Sequence, residues 1–209
     1  PEARDRIDLL APQDPRQAKL IRQAVASAAA QQYDRVLEAV SVLLNPPADA
    51  KFEADSLFRR SDGTWVRVRD EANRLLGGLP EASRETFRSR FGAEARARLD
   101  RATTSGNEAS LVDVADRFFH TPAGRSAANR LGSRHIDRGR FGLGAYWFGR
   151  LLEAEDPVVQ QPAWRLKAAL VFHSAGQGQR SSKLLEGLVS EGQLSLPDGR
   201  KATVAEWLE

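Results

Sequence analysis

Three histidines, His120, His135 and His173, are the first candidates for chemistry in this chain of 209 residues. Zinc-binding histidines usually follow a spacing such as H-x3-H or HExxH, and these three do not. The chain has no cysteine, which excludes thiolate metal sites, disulfides and cysteine nucleophiles. We therefore interpret the histidines as structural or helix-capping residues, and we expect no metal and no cofactor.

Other polar groups match catalytic sites no better. The acidic stretch EAED, residues 153–156, stands before a proline and is typical of a helix end and its loop. His173-Ser174 lacks both the G-x-S-x-G turn of a serine hydrolase and a third partner. The stretch GRFGLG, residues 139–144, follows no strand pattern and contains no GK[ST], unlike a phosphate-binding loop. The sequence therefore predicts that the chain has no catalytic residues and is not an enzyme.

The charge pattern bears on possible partners. The net charge is +3, and basic and acidic residues are interspersed between residues 84 and 100. Such mixing is typical of a solvated, salt-bridged helix face, whereas nucleic-acid binding usually uses clustered charge. No apolar run approaches the roughly 20 residues that a membrane span needs. We expect a soluble segment without a membrane span, and a protein or peptide partner rather than a nucleic acid.

One group of basic residues has a regular spacing. Arg130, Arg134 and Arg138 recur at four-residue spacing, so a helix would place them on one face. They are the candidate partner-binding residues. The alternative is an ordinary solvated helix face.

Helices are predicted to position these residues. The Asp-Pro pair at residues 14–15 predicts a capped helix start, and Asp34 predicts the cap of the next helix. Residues 48–64 show no helical period and are expected to form an irregular insertion. Trp65 is expected to open another helix, and Gly92 to separate two later ones.

The second half of the chain has clearer helix signals. Asn107 and Thr121 are predicted helix caps, and a turn signal at residues 197–199 predicts a small hairpin in the C-terminal tail, residues 193–209. The predicted fold class is all-α, with about nine or ten antiparallel helices in one domain over residues 1–209. Four helices are predicted at about 122–138, 141–154, 162–175 and 179–191.

An internal repeat organises this half. Residues 131–152 align with residues 168–189 when the chain is shifted by 37 residues, so that small residues match small ones and apolar residues match apolar ones. The period lies in the range of helical solenoids, whose units bury their apolar faces by stacking. The best repeats are expected at about 122–157 and 162–192.

The first repeat, residues 122–157, contains A-x2-L-G-x2-H, then G-x3-F, then a proline. This resembles the tetratricopeptide repeat, W-x2-L-G-x2-Y, then A-x3-F, then a proline, although three signature residues differ. The resemblance implies an α-solenoid whose first helices line a peptide-binding surface. It places Gly144 where paired helices approach closely, and Gly142 and Gly149 are expected to contact an adjacent unit. The residues expected to pack the repeat are Leu131, Gly132, His135, Gly139, Gly144, Phe148 and Leu151.

A second resemblance covers more of the chain. The run from Trp65 through LLGGLP, FRSRFGAEARARLD, ADRFFHTPAG and LGSRHIDRG to LPDGR and VAEWL is similar to the helical N-terminal region of large bacterial envelope proteins. In those proteins, best known from planctomycetes, the region precedes a pyrroloquinoline-quinone-like β-propeller. The chain contains no methionine and begins at Pro1, and we expect it to be the helical part of a longer protein.

These resemblances imply a location and a function class. The expected location is the bacterial cell envelope or periplasm, and the expected function is a non-enzymatic protein–protein interaction or scaffold module. Its partner would be another protein, a peptide or an adjoining domain of the same chain. The alternatives are a helical accessory domain of a cell-wall hydrolase and a weak nucleic-acid-binding module.

Overall fold

The computed structural model describes residues 13–53, 56–189, 194–195 and 201–202, and within them it is mainly helical. A mainly helical chain was expected and is confirmed, whereas stacking into a solenoid stays a prediction. The helices are α1 (Pro15–Ala29), α2 (Tyr33–Leu44), α3 (Val68–Gly77), α4 (Glu81–Ser105), α5 (Glu108–Arg117), α6 (Pro122–Asp137), α7 (Phe141–Glu153), α8 (Pro162–Ser174) and α9 (Gly178–Val189). A 3-10 helix (Pro157–Gln160) joins α7 to α8, and the strands are β1 (Leu57–Arg59), β2 (Trp65–Arg67), β3 (Leu194–Ser195) and β4 (Lys201–Ala202).

Three predicted helix caps are confirmed. The Asp14 carboxylate accepts a hydrogen bond from the Arg16 backbone N–H (2.9 Å), with proline at the first position of α1. The Asn107 side chain accepts from the Ser110 N–H (3.1 Å) at the start of α5, and Thr121 Oγ1 accepts from the Gly124 N–H (3.2 Å) at the start of α6. Each cap satisfies a backbone donor that the first helical turn leaves without a partner.

The cap predicted for α2 is wrong. This helix follows Gln32, and Asp34 lies inside its first turn. An acidic side chain is favourable there as well, because it faces the positive end of the helix dipole. An aspartate therefore indicates that a helix begins nearby, but it does not show whether the aspartate is the cap or lies within the first turn.

The expected irregular insertion at residues 48–64 contains the first strand of a β-hairpin. Strand β1 pairs antiparallel with β2, with Phe58 opposite Val66, around a turn in which Gly63 has φ +84°. Trp65 therefore lies in β2 instead of opening a helix, and α3 begins at Val68. Strands of three residues are too short for the alternation of apolar and polar residues to identify them in a sequence.

The predicted break at Gly92 is also wrong, because α4 is continuous over 25 residues. The buried side chains of α4 recur every three or four residues on both sides of the glycine, so one apolar face extends through it. Burial of this face offsets the cost of about 1 kcal/mol that a glycine imposes within a helix. Those buried residues are Phe87, Phe91, Ala95, Leu99 and Ala102.

The chain divides into two compact units, Pro1–Gly124 and Arg125–Glu209. In the first unit, α2 packs on α1 and α3, and α4 packs on α5. In the second unit, α8 packs on α7 and α9. The single-domain organisation over residues 1–209 stays a prediction.

Within the second unit, two helix pairs share one turn geometry. Gly139 between α6 and α7 has φ +69°, and Gly176 between α8 and α9 has φ +75°. In each turn the residue after the glycine donates its N–H to a carbonyl five residues earlier: Arg140 to His135 (2.8 Å) and Gln177 to Phe172 (2.7 Å). Glycine suits this left-handed backbone conformation because it has no Cβ. The 37-residue shift therefore relates two turns of the same geometry.

The hairpin expected in the C-terminal tail is confirmed at its strands. Strands β3 and β4 pair antiparallel, with Leu194 opposite Ala202 and Ser195 opposite Lys201. The turn predicted between them, at residues 197–199, lies outside the described residues.

None of the described helices combines the length and apolar character that crossing a bilayer requires.

Candidate functional site

The α6–α7 pair is held together by close contact at Gly132. A Cβ atom added to Gly132 would lie 2.3 Å from Cε1 of Phe148, whose ring is fully buried. Leu131 and Leu151 are fully buried in the same unit, and His135 is 5% exposed. These residues were expected to pack the repeat, and they are buried in the second unit, whereas Gly139 of the same set is exposed in the turn after α6; their role in a repeat stays a prediction.

Of the other glycines, Gly144 also lies at a close approach. A Cβ there would lie 3.2 Å from Cγ1 of Ile136 and 3.3 Å from Cγ1 of Val171. The expectation for Gly142 is wrong, because no atom of the described residues, apart from its chain neighbours and its own helix backbone, lies within 4 Å of the corresponding Cβ position. At Gly149 the nearest atom is Nη1 of Arg180 (3.2 Å), the end of a flexible side chain.

Hydrogen bonds and ring packing hold α6 against α8. Trp164 Nε1 donates to Asn129 Oδ1 (2.8 Å), and the Trp164 ring packs 4.9 Å from that of Phe148. Lys167 Nζ donates to Ser133 Oγ (2.7 Å). Asn129 and Ser133 are four residues apart and share one face of α6, so α8 contacts α6 along that face.

The candidate partner-binding arginines lie on another part of α6. Arg130 is exposed and Arg134 is half-buried, both within the helix, whereas Arg138 is exposed and follows its last residue, Asp137. The structure therefore places two of the three on one helical face and the third in the adjoining turn. Residues 122–140 contain five arginines and one aspartate, and Arg125 pairs with Asp156 (3.5 Å), so this segment keeps a net positive charge. We call the surface formed by Arg130, Arg134 and Arg138 the α6 basic face.

A second basic site, which sequence reasoning missed, lies in the first unit. Three guanidinium groups from three helices converge on the half-buried carboxylate of Asp113. Its oxygens lie 3.8 Å from Arg69 Nη1, 3.5 Å from Arg98 Nη1 and 3.4 Å from Arg117 Nη1. The site borders a groove of about 620 Å³ between α4 and α5.

The most buried of the three arginines is held by neutral groups as well. Arg117 Nε donates to the Leu44 carbonyl oxygen (3.0 Å), and Nη2 donates to Asn45 Oδ1 (3.1 Å). Burial lowers the pKa of Arg117, and the positive charge of Arg98 acts in the same direction against the opposing effect of Asp113. Burial is therefore the main cause of the lowered pKa, and the neighbouring arginines add to it.

A buried ion pair joins the β1–β2 hairpin to α3. The Glu71 carboxylate, almost fully buried, accepts from Arg60 Nε (2.8 Å) and from Arg74 Nε (3.0 Å). Burial alone would raise the pKa of Glu71, but the hydrogen bonds from Arg74 and Arg60 outweigh it and hold that pKa below its ordinary value. This arrangement stabilises the local fold and presents no open coordination site.

The histidines occupy separate environments. His120 is buried, and its Nε2 donates to the Asn73 carbonyl oxygen (2.9 Å), as a structural histidine would. His135 is buried and His173 is exposed. Over the described ranges, no group of three or more histidine, aspartate or glutamate side chains is placed to hold a metal ion.

Comparison with known proteins gives no relative from which a role could be transferred. No family model, curated protein or solved structure matches the chain. The two basic sites are therefore interpreted from their own chemistry.

Proposed function

We propose that this chain is a non-enzymatic interaction module that binds an acidic segment of a protein partner, or of an adjoining domain, along the α6 basic face. The observation that carries this proposal is the concentration of arginine in and just after α6, where, besides Arg125 paired with Asp156, four arginines accompany one aspartate. Arg130 and Arg138 are exposed, so carboxylates of a partner can reach them.

Arginine suits such recognition better than lysine would. Its planar guanidinium can hold a carboxylate through two parallel hydrogen bonds and remains charged at any physiological pH. Charges of one sign on an exposed face also accelerate the encounter with an oppositely charged partner. An acidic segment is the protein chemistry that both properties favour.

The packing of α6 supports the same proposal. The contact between Gly132 and Phe148 holds α6 against α7, and the hydrogen bonds at Asn129 and Ser133 hold it against α8. A surface that is ordered before binding loses less conformational entropy when a partner docks. The contacts with α7 and α8 order α6, and therefore the α6 basic face, before a partner binds.

The wider setting also belongs to the proposal. The tetratricopeptide-like repeat suggests that the helix pairs stack into a solenoid, and the second resemblance suggests a neighbouring β-propeller in a bacterial envelope protein. The first rests on its signature motif and on the two matching turns at Gly139 and Gly176, and the second rests only on the sequence motifs quoted above.

The proposal is tested with a fluorescein-labelled octaglutamate peptide and fluorescence anisotropy at low salt. Reversing two charges with Arg134→Glu and Arg138→Glu should weaken peptide binding by about tenfold or more, because two attractive contacts become repulsive. The matched control, Arg90→Glu with Arg96→Glu on exposed positions of α4, changes the net charge equally and should change the affinity by less than about threefold.

Two outcomes would overturn the proposal. One is equal loss of affinity in both double variants, which would show that only net charge matters. The other is binding of a DNA duplex more tightly than of the peptide, with the same dependence on Arg134 and Arg138, which would favour the nucleic-acid alternative.

A further inference from the structure

The groove between α4 and α5 carries an excess of positive charge of its own, from arginines that are not part of the α6 basic face. Four arginines lie at the groove or around its Asp113, against two carboxylates, which leaves a local excess of two positive charges. The charged residues are Arg69, Arg98, Arg101, Arg117, Glu94 and Asp113.

Arg101 is the guanidinium most available to a ligand. It is exposed, it lines the groove, and its Nε donates to the Ala97 carbonyl oxygen (3.3 Å) of its own helix. Among the described residues it forms no ion pair. It lies three residues after Arg98, so the two side chains project from the same side of α4.

Arg98 and Arg117 are held in place by their surroundings. The guanidinium carbons of Arg98 and Arg117 lie 5.8 Å and 5.4 Å from the centroid of the Phe118 ring, which is fully buried. Arg98 also pairs with Glu94 (2.8 Å). Cation–π contact and ion pairing both restrict these side chains, so a ligand would find them already oriented.

The groove also contains a neutral hydrogen-bond donor. Ser110 lines it alongside Arg98 and Arg101, whereas the Ser105 hydroxyl donates to the Ala102 carbonyl oxygen (3.3 Å). Hydroxyl and guanidinium donors together suit a ligand with several oxygen acceptors on one atom. Asp113 already demonstrates that an oxyanion is stable among these arginines.

We propose that the α4–α5 groove binds the phosphate monoester of a small molecule, with Arg98 and Arg101 as its principal ligands. A phosphate monoester carries a charge of about −1.5 to −2 at neutral pH, which matches the local excess of two positive charges. Arginine pairs with phosphate through two parallel hydrogen bonds. The groove volume of about 620 Å³ lies within the range of small-molecule sites and leaves room for the organic part of the ligand.

Asp113 has a defined part in this site. Its carboxylate competes with the incoming phosphate for Arg98 and Arg117, and its negative charge repels the ligand. Removing that charge should strengthen phosphate binding, which is opposite to the effect of removing an arginine. This difference in sign distinguishes a phosphate site from a purely structural ion cluster.

The test is isothermal titration calorimetry of the full chain with inorganic phosphate and with phenyl phosphate, at constant ionic strength, with acetate as the control anion. Phosphate should bind and acetate should bind at least about tenfold more weakly. Phenyl phosphate should bind at least as tightly as inorganic phosphate. A phosphoserine peptide that bound far more tightly than phenyl phosphate would overturn the assignment to a small molecule.

Three variants decide the assignment. Arg101→Gln should weaken phosphate binding by about tenfold, whereas Arg96→Gln, an exposed control on α4 that does not line the groove, should change it by less than about twofold. Asp113→Asn should tighten binding by about threefold to tenfold. Equal effects of Arg96→Gln and Arg101→Gln, no phosphate binding at about 10 mM, or weaker binding in folded Asp113→Asn would each overturn the proposal.

Discussion

Replacing Gly132 with alanine tests the packing of the α6–α7 pair. The new methyl group would lie 2.3 Å from Cε1 and 2.5 Å from Cδ1 of Phe148. Carbon atoms in contact are ordinarily about 3.5 to 4.0 Å apart, so the ring would have to move by more than about 1 Å. The ring is fully buried and packs against Trp164, which leaves it little room to do so.

Two opposing effects decide the size of the change. Alanine is favoured over glycine within a helix by about 1 kcal/mol. Overpacking a buried site typically costs about 1 to 3 kcal/mol, and the two short distances place Gly132 at the upper end. We expect Gly132→Ala to lower the free energy of unfolding by about 2 kcal/mol, and the melting temperature by about 4 to 8 °C.

The assay is urea and thermal unfolding followed by circular dichroism and by tryptophan fluorescence, since Trp147 and Trp164 report on this unit. Gly142→Ala is the matched control, because it makes the same change on α7, where no described residue outside that helix lies within 4 Å of the new methyl group. It should stabilise the protein by up to about 0.5 to 1 kcal/mol.

The result that would refute the reasoning is a melting temperature of Gly132→Ala at or above that of the wild type. A double-mutant cycle locates the cause. Phe148→Leu should cost less in the Gly132→Ala background than alone, because removing the ring relieves the clash. Additive effects of the two substitutions would contradict direct contact.

Two further predictions concern stability. Glu71→Gln should destabilise the protein by about 2 kcal/mol at pH 7, because it removes charge-assisted hydrogen bonds from Arg60 and Arg74. The folded-state pKa of Glu71 is lowered, so its contribution to the free energy of unfolding is present above the ordinary pKa of 4.5 and is lost as pH falls through the pKa in the folded state. Urea unfolding from pH 7 to pH 3 should therefore show the stabilities of the wild type and of Glu71→Gln converging at low pH. A constant difference between the two proteins would contradict this. Gly144→Leu should cost about 1 to 3 kcal/mol by overpacking against Ile136 and Val171, and thermal unfolding at or above the wild-type midpoint would refute the close approach assigned to Gly144.

Sequence reasoning succeeded where the determining contacts are local. The caps at Asp14, Asn107 and Thr121 depend on backbone donors two or three residues away, so the pattern of residues identifies them. Gly139 and Gly176 were aligned by the repeat because the same turn needs the same residue. These features predicted most of the helix boundaries in the second half of the chain.

It failed where distant residues decide the outcome. Strand β1 exists because Phe58 pairs with Val66 across a turn, and three residues give no pattern from which to predict that pairing. Arg117 lies four residues after Asp113 on α5, so spacing indicates that pair, but no spacing along the chain indicates that Arg69 and Arg98 reach the same carboxylate from α3 and α4. Arg130, Arg134 and Arg138 were predicted to share one helical face because they are four residues apart. The helix ends at Asp137, so Arg138 lies in the turn that follows.

The most direct test of the proposed interaction module is a map of where an acidic peptide binds. Backbone and arginine side-chain NMR spectra of the full chain should be recorded during titration with the octaglutamate peptide. We predict that the largest chemical-shift changes fall on Arg130, Arg134 and Arg138 and on their neighbours in α6. Changes confined to the α4–α5 groove, or spread evenly over the arginines of both units, would contradict the account.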